Sequence, residues 1–178
     1  MPRKKPIDLD LFRKTAKEHK RRMKRFLSKA EGFPTRRLQA ITIEVEKQVW
    51  QEIDCLSCAN CCKTMTPTFN LQDTKRIARF LGESVESFRE KWLKKERSGD
   101  RDWINKKEPC QFLNLKDNKC SIYEVRPADC AGFPHLRKKL RDYVHVHKQN
   151  ISHCPATYRF VELMMDQSPA SFTAPAHI

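Results

Sequence analysis

The apolar positions of this chain recur mostly every three or four residues, the period of one face of a helix. From Asp8 to about Lys29, Leu9, Phe12, Ala16, Met23, Phe26 and Leu27 keep that spacing, and Asp8 or Asp10 can cap the start. Gly32-Phe33-Pro34 breaks the run. Thr35 then opens a second helix, whose stripe of Leu38, Ile41, Val45, Val49 and Ile53 reads as a core face. Asn70, with Asp73 three residues on, has the form of a capping box in which Asp replaces the usual Glu or Gln. It predicts a helix from Leu71 to Leu81, ended by Gly82. Ser84 caps another, predicted over 84–95, with Val85, Phe88, Trp92 and Leu93 facing inward. Pro155 to Met165 reads as a last helix, and residues 167–178 as a loose tail containing Pro and Ser.

Between these helices the pattern changes. Thr64 to Thr68 reads as extended, Ser98-Gly99-Asp100 as a loop, and Asp102 to Asn105 as a short strand. Cys110 to Leu115 and Lys119 to Tyr123 flank the turn sequence Lys116-Asp117-Asn118, which predicts a β-hairpin with a cysteine near the start of each strand. Arg126 to Cys130 reads as one helical turn with Pro127 at its first-turn position. Leu136 to Gln149 fits helix or strand; His145-Val146-His147 alternates as on an exposed strand face, and His153 abuts Cys154. The expected fold is mainly α with a small β-hairpin. The expected division is a basic amphipathic helical arm over 1–37, one cysteine-rich metal-binding domain over 38–166, and a flexible tail over 167–178.

The cysteines carry the chemistry. Cys55, Cys58, Cys61 and Cys62 fall within eight residues, and Cys110, Cys120, Cys130 and Cys154 lie far along the chain. A C-x2-C-x2-C run can aim three thiolates at one centre. Adjacent side chains diverge by roughly 100° on a helix and point to opposite faces of a strand, so Cys61 and Cys62 are expected to serve different centres. The resulting partition puts Cys55, Cys58, Cys61 and Cys154 at one site and Cys62, Cys110, Cys120 and Cys130 at another. Zinc and iron–sulfur clusters both accept four thiolates. The triplet together with Cys154-Pro155 is like the ferredoxin ligand run and favours a cluster of the 4Fe–4S type; hairpin cysteines suit zinc. Arg126 can steady a thiolate by its charge, or pair with Glu124 or Asp129.

The cysteine loop, Cys110-Gln111-Phe112-Leu113, Cys120 through Ile122-Tyr123-Glu124-Val125-Arg126-Pro127, Cys130-Ala131-Gly132-Phe133-Pro134 and Cys154-Pro155 together resemble the CxxCxxCC cysteine-cluster family. Its members are YkgJ-like, zinc- or iron-chelating proteins often described as containing an iron–sulfur cluster. The resemblance runs from about Trp50 to Leu163 and departs at Ala131, where relatives usually carry a basic residue. It implies that all eight cysteines are metal ligands. The cluster also looks like that of flagellin lysine N-methylases, which would imply S-adenosylmethionine chemistry.

Composition narrows the classes. Hydrophobic residues make up 39% of the chain, enough for a modest core, and with four glycines no phosphate-binding G-x-G-x-x-G or G-x4-G-K-[ST] occurs. No run of 18 apolar residues exists, so the chain is expected to be soluble and cytoplasmic, where cysteines read as metal ligands rather than disulfides. The net charge of +14 is uneven: residues 1–37 hold 14 Lys and Arg against 4 Asp and Glu, and the remainder 22 against 18. Two four-thiolate zinc sites would leave the remainder near neutral. The cationic face of the arm, opposite its apolar stripe, is expected to meet an acidic partner: RNA, an acidic protein or anionic lipid. Three functions fit: a metal-stabilised binding or accessory module, a methylase-like enzyme, and a metal-transfer site.

Overall fold

The computed structural model describes residues 6–33, 35–96 and 102–168. The loop expected at Ser98-Gly99-Asp100, and the tail beyond Ser168, lie outside them. The helices are α1 (Leu9–Ala30), α2 (Thr35–Glu52), α3 (Cys55–Cys58), α4 (Asn60–Thr64), α5 (Leu71–Leu81), α6 (Val85–Trp92), α7 (Ala128–Gly132), α8 (Leu140–Asn150) and α9 (Pro155–Gln167). The strands are β1 (Thr68–Phe69), β2 (Leu93–Lys95), β3 (Trp103–Asn105), β4 (Leu113–Asn114) and β5 (Lys119–Cys120). The fold is mainly helical with small antiparallel sheets, as the periodicity implies. Contacts divide the chain at other points than 37/38 and 166/167. One compact unit takes the described residues up to Cys55 and from Pro134 on; the other is Leu56–Phe133.

The first unit is built of α1, α2, α8 and α9. Asp8 caps α1 by accepting from the Asp10 and Leu11 backbone N–H groups. The apolar stripe of α1 is buried as Phe12, Ala16, Met23, Phe26, Leu27 and Ala30, and the helix packs on α8 and α9. Leu38, Val45 and Val49 bury the matching stripe of α2, which packs on the same two helices. Residues Leu136 to Gln149, ambiguous in sequence, contribute α8. Leu140, Val144, His147 and Asn150 are its buried positions, at helical spacing. The two-residue alternation of the histidines therefore does not mark a strand, and His147 is not on an exposed face.

In the second unit the capping box is complete: the Asn70 side chain accepts from Asp73 N–H, and Asp73 accepts from Asn70 N–H. Gly82 closes α5 in the left-handed conformation, φ 69°, where a Cβ would be strained. The helix expected over 84–95 ends at Trp92. Leu93 turns to φ −117°, ψ 157°, and β2 pairs with β3, Leu93 opposite Asn105. On its other edge β3 pairs with β1, Phe69 opposite Trp103. Strand pairing thus wins over a helix that could otherwise have continued. The hairpin forms as β4 and β5, Leu113 opposite Cys120. Phe69, Ile77, Phe88, Leu93, Phe112 and Ile122 make the core, and Cys110 and Cys120 pack against it. Each such side chain contributes roughly 1.5–3 kcal/mol by leaving water.

His147 offers a test of the first unit. It is fully buried, its ring lies 5.4 Å from that of Phe160, and neither ring nitrogen has a hydrogen-bond partner among the described residues. Burial, helped by the charges of His135 and His145, lowers its pKa from 6.5 to about 4. The unfolded chain thus binds this proton first: stability is complete above pH 6.5 and is lost as pH falls toward 4. The loss should reach about 3 kcal/mol. Urea denaturation at neutral and acid pH should show a steeper fall for the wild type than for His147→Met. Equal falls would contradict the assignment.

Candidate metal centre

The cysteine loop folds as two short helices, α3 and α4, joined at Ala59 in a left-handed conformation, φ 46° and ψ 20°. This places Cys61 and Cys62 in the same turn with their sulfurs 3.9 Å apart. Four thiolates around one zinc lie about 3.7–4 Å apart, given Zn–S bonds near 2.3 Å. The expected divergence of neighbouring side chains therefore does not separate these two. The Cα–Cβ bonds diverge, but rotation about χ1 swings the sulfurs back together.

Backbone and side-chain hydrogen bonds bring the other cysteines of the Leu56–Phe133 unit toward this loop. Cys110 N–H donates to the Cys62 carbonyl at 2.8 Å. Asn118, at the hairpin turn with φ 58°, donates from its side chain to the Ser57 carbonyl at 3.0 Å. Asp73 is buried, and its carboxylate does more than close the capping box: it accepts from Ala128 N–H at 3.1 Å and pairs with Arg76 at 2.7 Å. Arg76 in turn donates to the Arg126 carbonyl at 2.8 Å. The start of α7, which carries Cys130, is thereby pinned to the start of α5. Asp129 adds a tie to β1 by accepting from Thr68 N–H.

The sulfurs feel one another electrostatically. Burial raises the Cys130 thiol most, and the charge of Cys62, then Asp129, Cys110 and Cys120, raises it further. Burial also raises Cys120 against the Ile122 backbone N–H, with Cys110 and Cys62 adding to the rise and Arg126 opposing it. Cys110 is raised by burial, eased by the Phe112 backbone N–H and by Asn105. Cys62 alone in this group moves down, to about 7, chiefly through its hydrogen bond with Cys61; burial opposes and Lys63 assists. Arg126 thus reaches Cys120 by charge. Its guanidinium lies over the Tyr123 ring and donates to the Tyr123 carbonyl at 2.7 Å.

Of the eight expected ligands, Cys58, Cys61, Cys62, Cys110, Cys120 and Cys130 belong to the second unit, and Cys55 and Cys154 to the first. None of the eight forms a disulfide. Cys154 is buried and caps α9, accepting from Thr157 N–H at 3.4 Å. His153 is exposed. Among the described residues, no group of three or more His, Cys, Asp or Glu side chains is gathered closely enough to hold a metal ion without rearrangement. Two participants were not foreseen. Asn105, buried, donates from its side-chain amide to the Cys110 sulfur at 3.2 Å. Gln111 fixes that amide by donating to its oxygen at 3.0 Å and to the Trp92 carbonyl at 2.9 Å. Asp73 was visible as a cap, not as the anchor of α7; no local sequence signal marks either role.

The model of the CxxCxxCC family, described as "Putative zinc- or iron-chelating domain", matches residues 54–155. The chain belongs to this family. The matched span contains all eight cysteines, so the ties described above arrange a chelating domain's thiols. No solved structure matches the chain. No helix among the described residues is long and apolar enough to cross a membrane.

The thiol energetics give a direct expectation. At neutral pH, with its pKa near 7, Cys62 is about half thiolate, the reactive form, whereas Cys130 is protonated. A brief iodoacetamide pulse on reduced, metal-free protein should therefore alkylate Cys62 at least roughly tenfold faster than Cys130. Peptide mapping by mass spectrometry reads the order; equal rates would contradict it.

Proposed function

We propose that the protein is a thiolate metal-chelating module, in which Cys62, Cys110, Cys120 and Cys130 hold one centre within the Leu56–Phe133 unit. What supports this reading is placement: the Cys110 backbone N–H donates to the Cys62 carbonyl, and Cys62 lies close enough for its charge to raise the Cys110, Cys120 and Cys130 thiols, which come from two other segments. Side chains spaced this far apart in sequence have no local reason to share a neighbourhood. A divalent ion or cluster would supply the positive charge that holds them as thiolates. Among the described residues these side chains are not gathered as a metal site, so rotation about χ1 is the motion proposed to close the set.

The surrounding residues fit the role. The Asn105 amide and the Phe112 backbone N–H at the Cys110 sulfur favour its charged form, as donors to metal thiolates do. Arg126 favours the charged form of Cys120. Cys61, with its sulfur 3.9 Å from that of Cys62, is a further donor beside the set. The ligand chemistry accepts zinc or an iron–sulfur cluster of the 4Fe–4S type. A set of thiolate ligands suits a reducing compartment such as the cytosol.

Anaerobic purification followed by metal and acid-labile sulfide analysis tests the reading. Metal should be present at one or more equivalents per chain and fall by at least one equivalent in Cys110→Ser. Sulfide with broad visible absorption identifies a cluster; zinc without sulfide identifies a zinc site. A protein that carries neither, and takes up neither zinc nor iron with sulfide, refutes the proposal.

A further inference from the structure

We propose that the outward face of α1 binds the phosphate backbone of a nucleic-acid duplex. The face is defined by what the helix buries. Phe12, Ala16, Met23, Phe26, Leu27 and Ala30 form one stripe, and the helix packs with α8 and α9. At 100° per residue, the broad face turned away from that stripe carries a ridge of Lys14, Lys17, Arg21, Lys24 and Arg25. All five are exposed, and none has an ion-pair partner among the described residues. Lys14, Lys17, Arg21 and Lys24 recur every three or four residues, roughly 4.5–6 Å along the axis, and Arg25 stands four after Arg21.

Packing does not explain this row. Lys17 and Arg21, and Arg21 and Arg25, are like charges four residues apart, an arrangement that destabilises a helix. One acid, Glu18, lies within the row, about 20° from Arg25 around the helix, and the five cations outnumber it.

The chemistry of the face selects among anions. Insertion into a lipid surface needs an exposed apolar stripe beside the charges, and the apolar stripe of α1 is buried inside its own unit. A protein partner needs aromatic or aliphatic anchors to desolvate, and the ridge between Lys14 and Arg25 offers none. Single strands are gripped by stacking on aromatic rings, which the ridge also lacks. A duplex backbone asks for charge and spacing alone, without base contacts.

The test uses the full-length, metal-loaded protein. Lys14, Lys17, Arg21, Lys24 and Arg25 are each changed to Gln, which keeps helix propensity and touches no buried position. Fluorescence anisotropy follows binding to a short RNA duplex and the DNA duplex of the same sequence, with phosphatidylserine vesicles run in parallel. Five neutralised phosphates predict that affinity falls about 500-fold between 50 and 200 mM salt. The variant should lose most of the binding and of that salt slope while circular dichroism and metal content stay unchanged. Binding to either duplex with this loss supports the proposal; a preference between them tells which helical form fits. No duplex binding at low salt, or binding that the five substitutions leave intact, overturns it. Vesicle binding without duplex binding also overturns it and reassigns the face to lipid.

Discussion

Bringing Cys62, Cys110, Cys120 and Cys130 into one half-buried neighbourhood sets a conflict that the Leu56–Phe133 unit must resolve. Each sulfur that ionises makes its neighbours harder to ionise, and burial adds to the penalty. The folded chain can keep the thiols protonated, or a cation can enter and reverse the sign of the local field. Protonated thiols are weak hydrogen-bonding groups and gain little from proximity. The arrangement becomes favourable only when the common charge is neutralised, which is why metal and fold are linked in small thiolate domains.

The frame that holds these sulfurs depends little on a large core. Its apolar cluster is a single layer around Phe88 and Phe112, whose rings stack at 6.4 Å. Hydrogen bonds between distant segments supply the rest. Asp73 joins α5 to α7, Asp129 joins α7 to β1, Cys110 joins its loop to α4, and Asn118 joins the hairpin turn to α3. Each tie enters a segment within a few residues of a cysteine. The unit is thus ordered outward from the thiols, and a unit of this size gains from a metal as a staple. The first unit works differently: its helices bury continuous apolar stripes and need no staple, so the charged ridge of α1 is left free of structural duties.

Sequence reasoning reached the helices because period and caps are local. The Asn70–Asp73 box, Gly82, Ser84 and Asp8 all act where their spacing places them. It reached the hairpin because Asn118 tolerates the positive φ that its turn needs. What it missed depends on partners distant in sequence. Leu93-Lys94-Lys95 continues the helical spacing of α6, and only the arrival of β3 makes it a strand. His147 looks like half of an exposed alternating pair until α8 turns it inward. The proximity of the Cys61 and Cys62 sulfurs is a matter of χ1, which neither residue order nor helix geometry fixes. The role of Asn105 at the Cys110 sulfur needs the β2–β3 pairing first, and so had no sequence signature.

The central claim is that the metal of this family is held here by sulfur alone. X-ray absorption at the metal edge of the purified, full-length protein measures the first coordination shell directly. For a zinc-loaded sample the account predicts a shell of four sulfurs near 2.3 Å with no nitrogen or oxygen component. A shell dominated by nitrogen or oxygen at about 2.0–2.2 Å would contradict it.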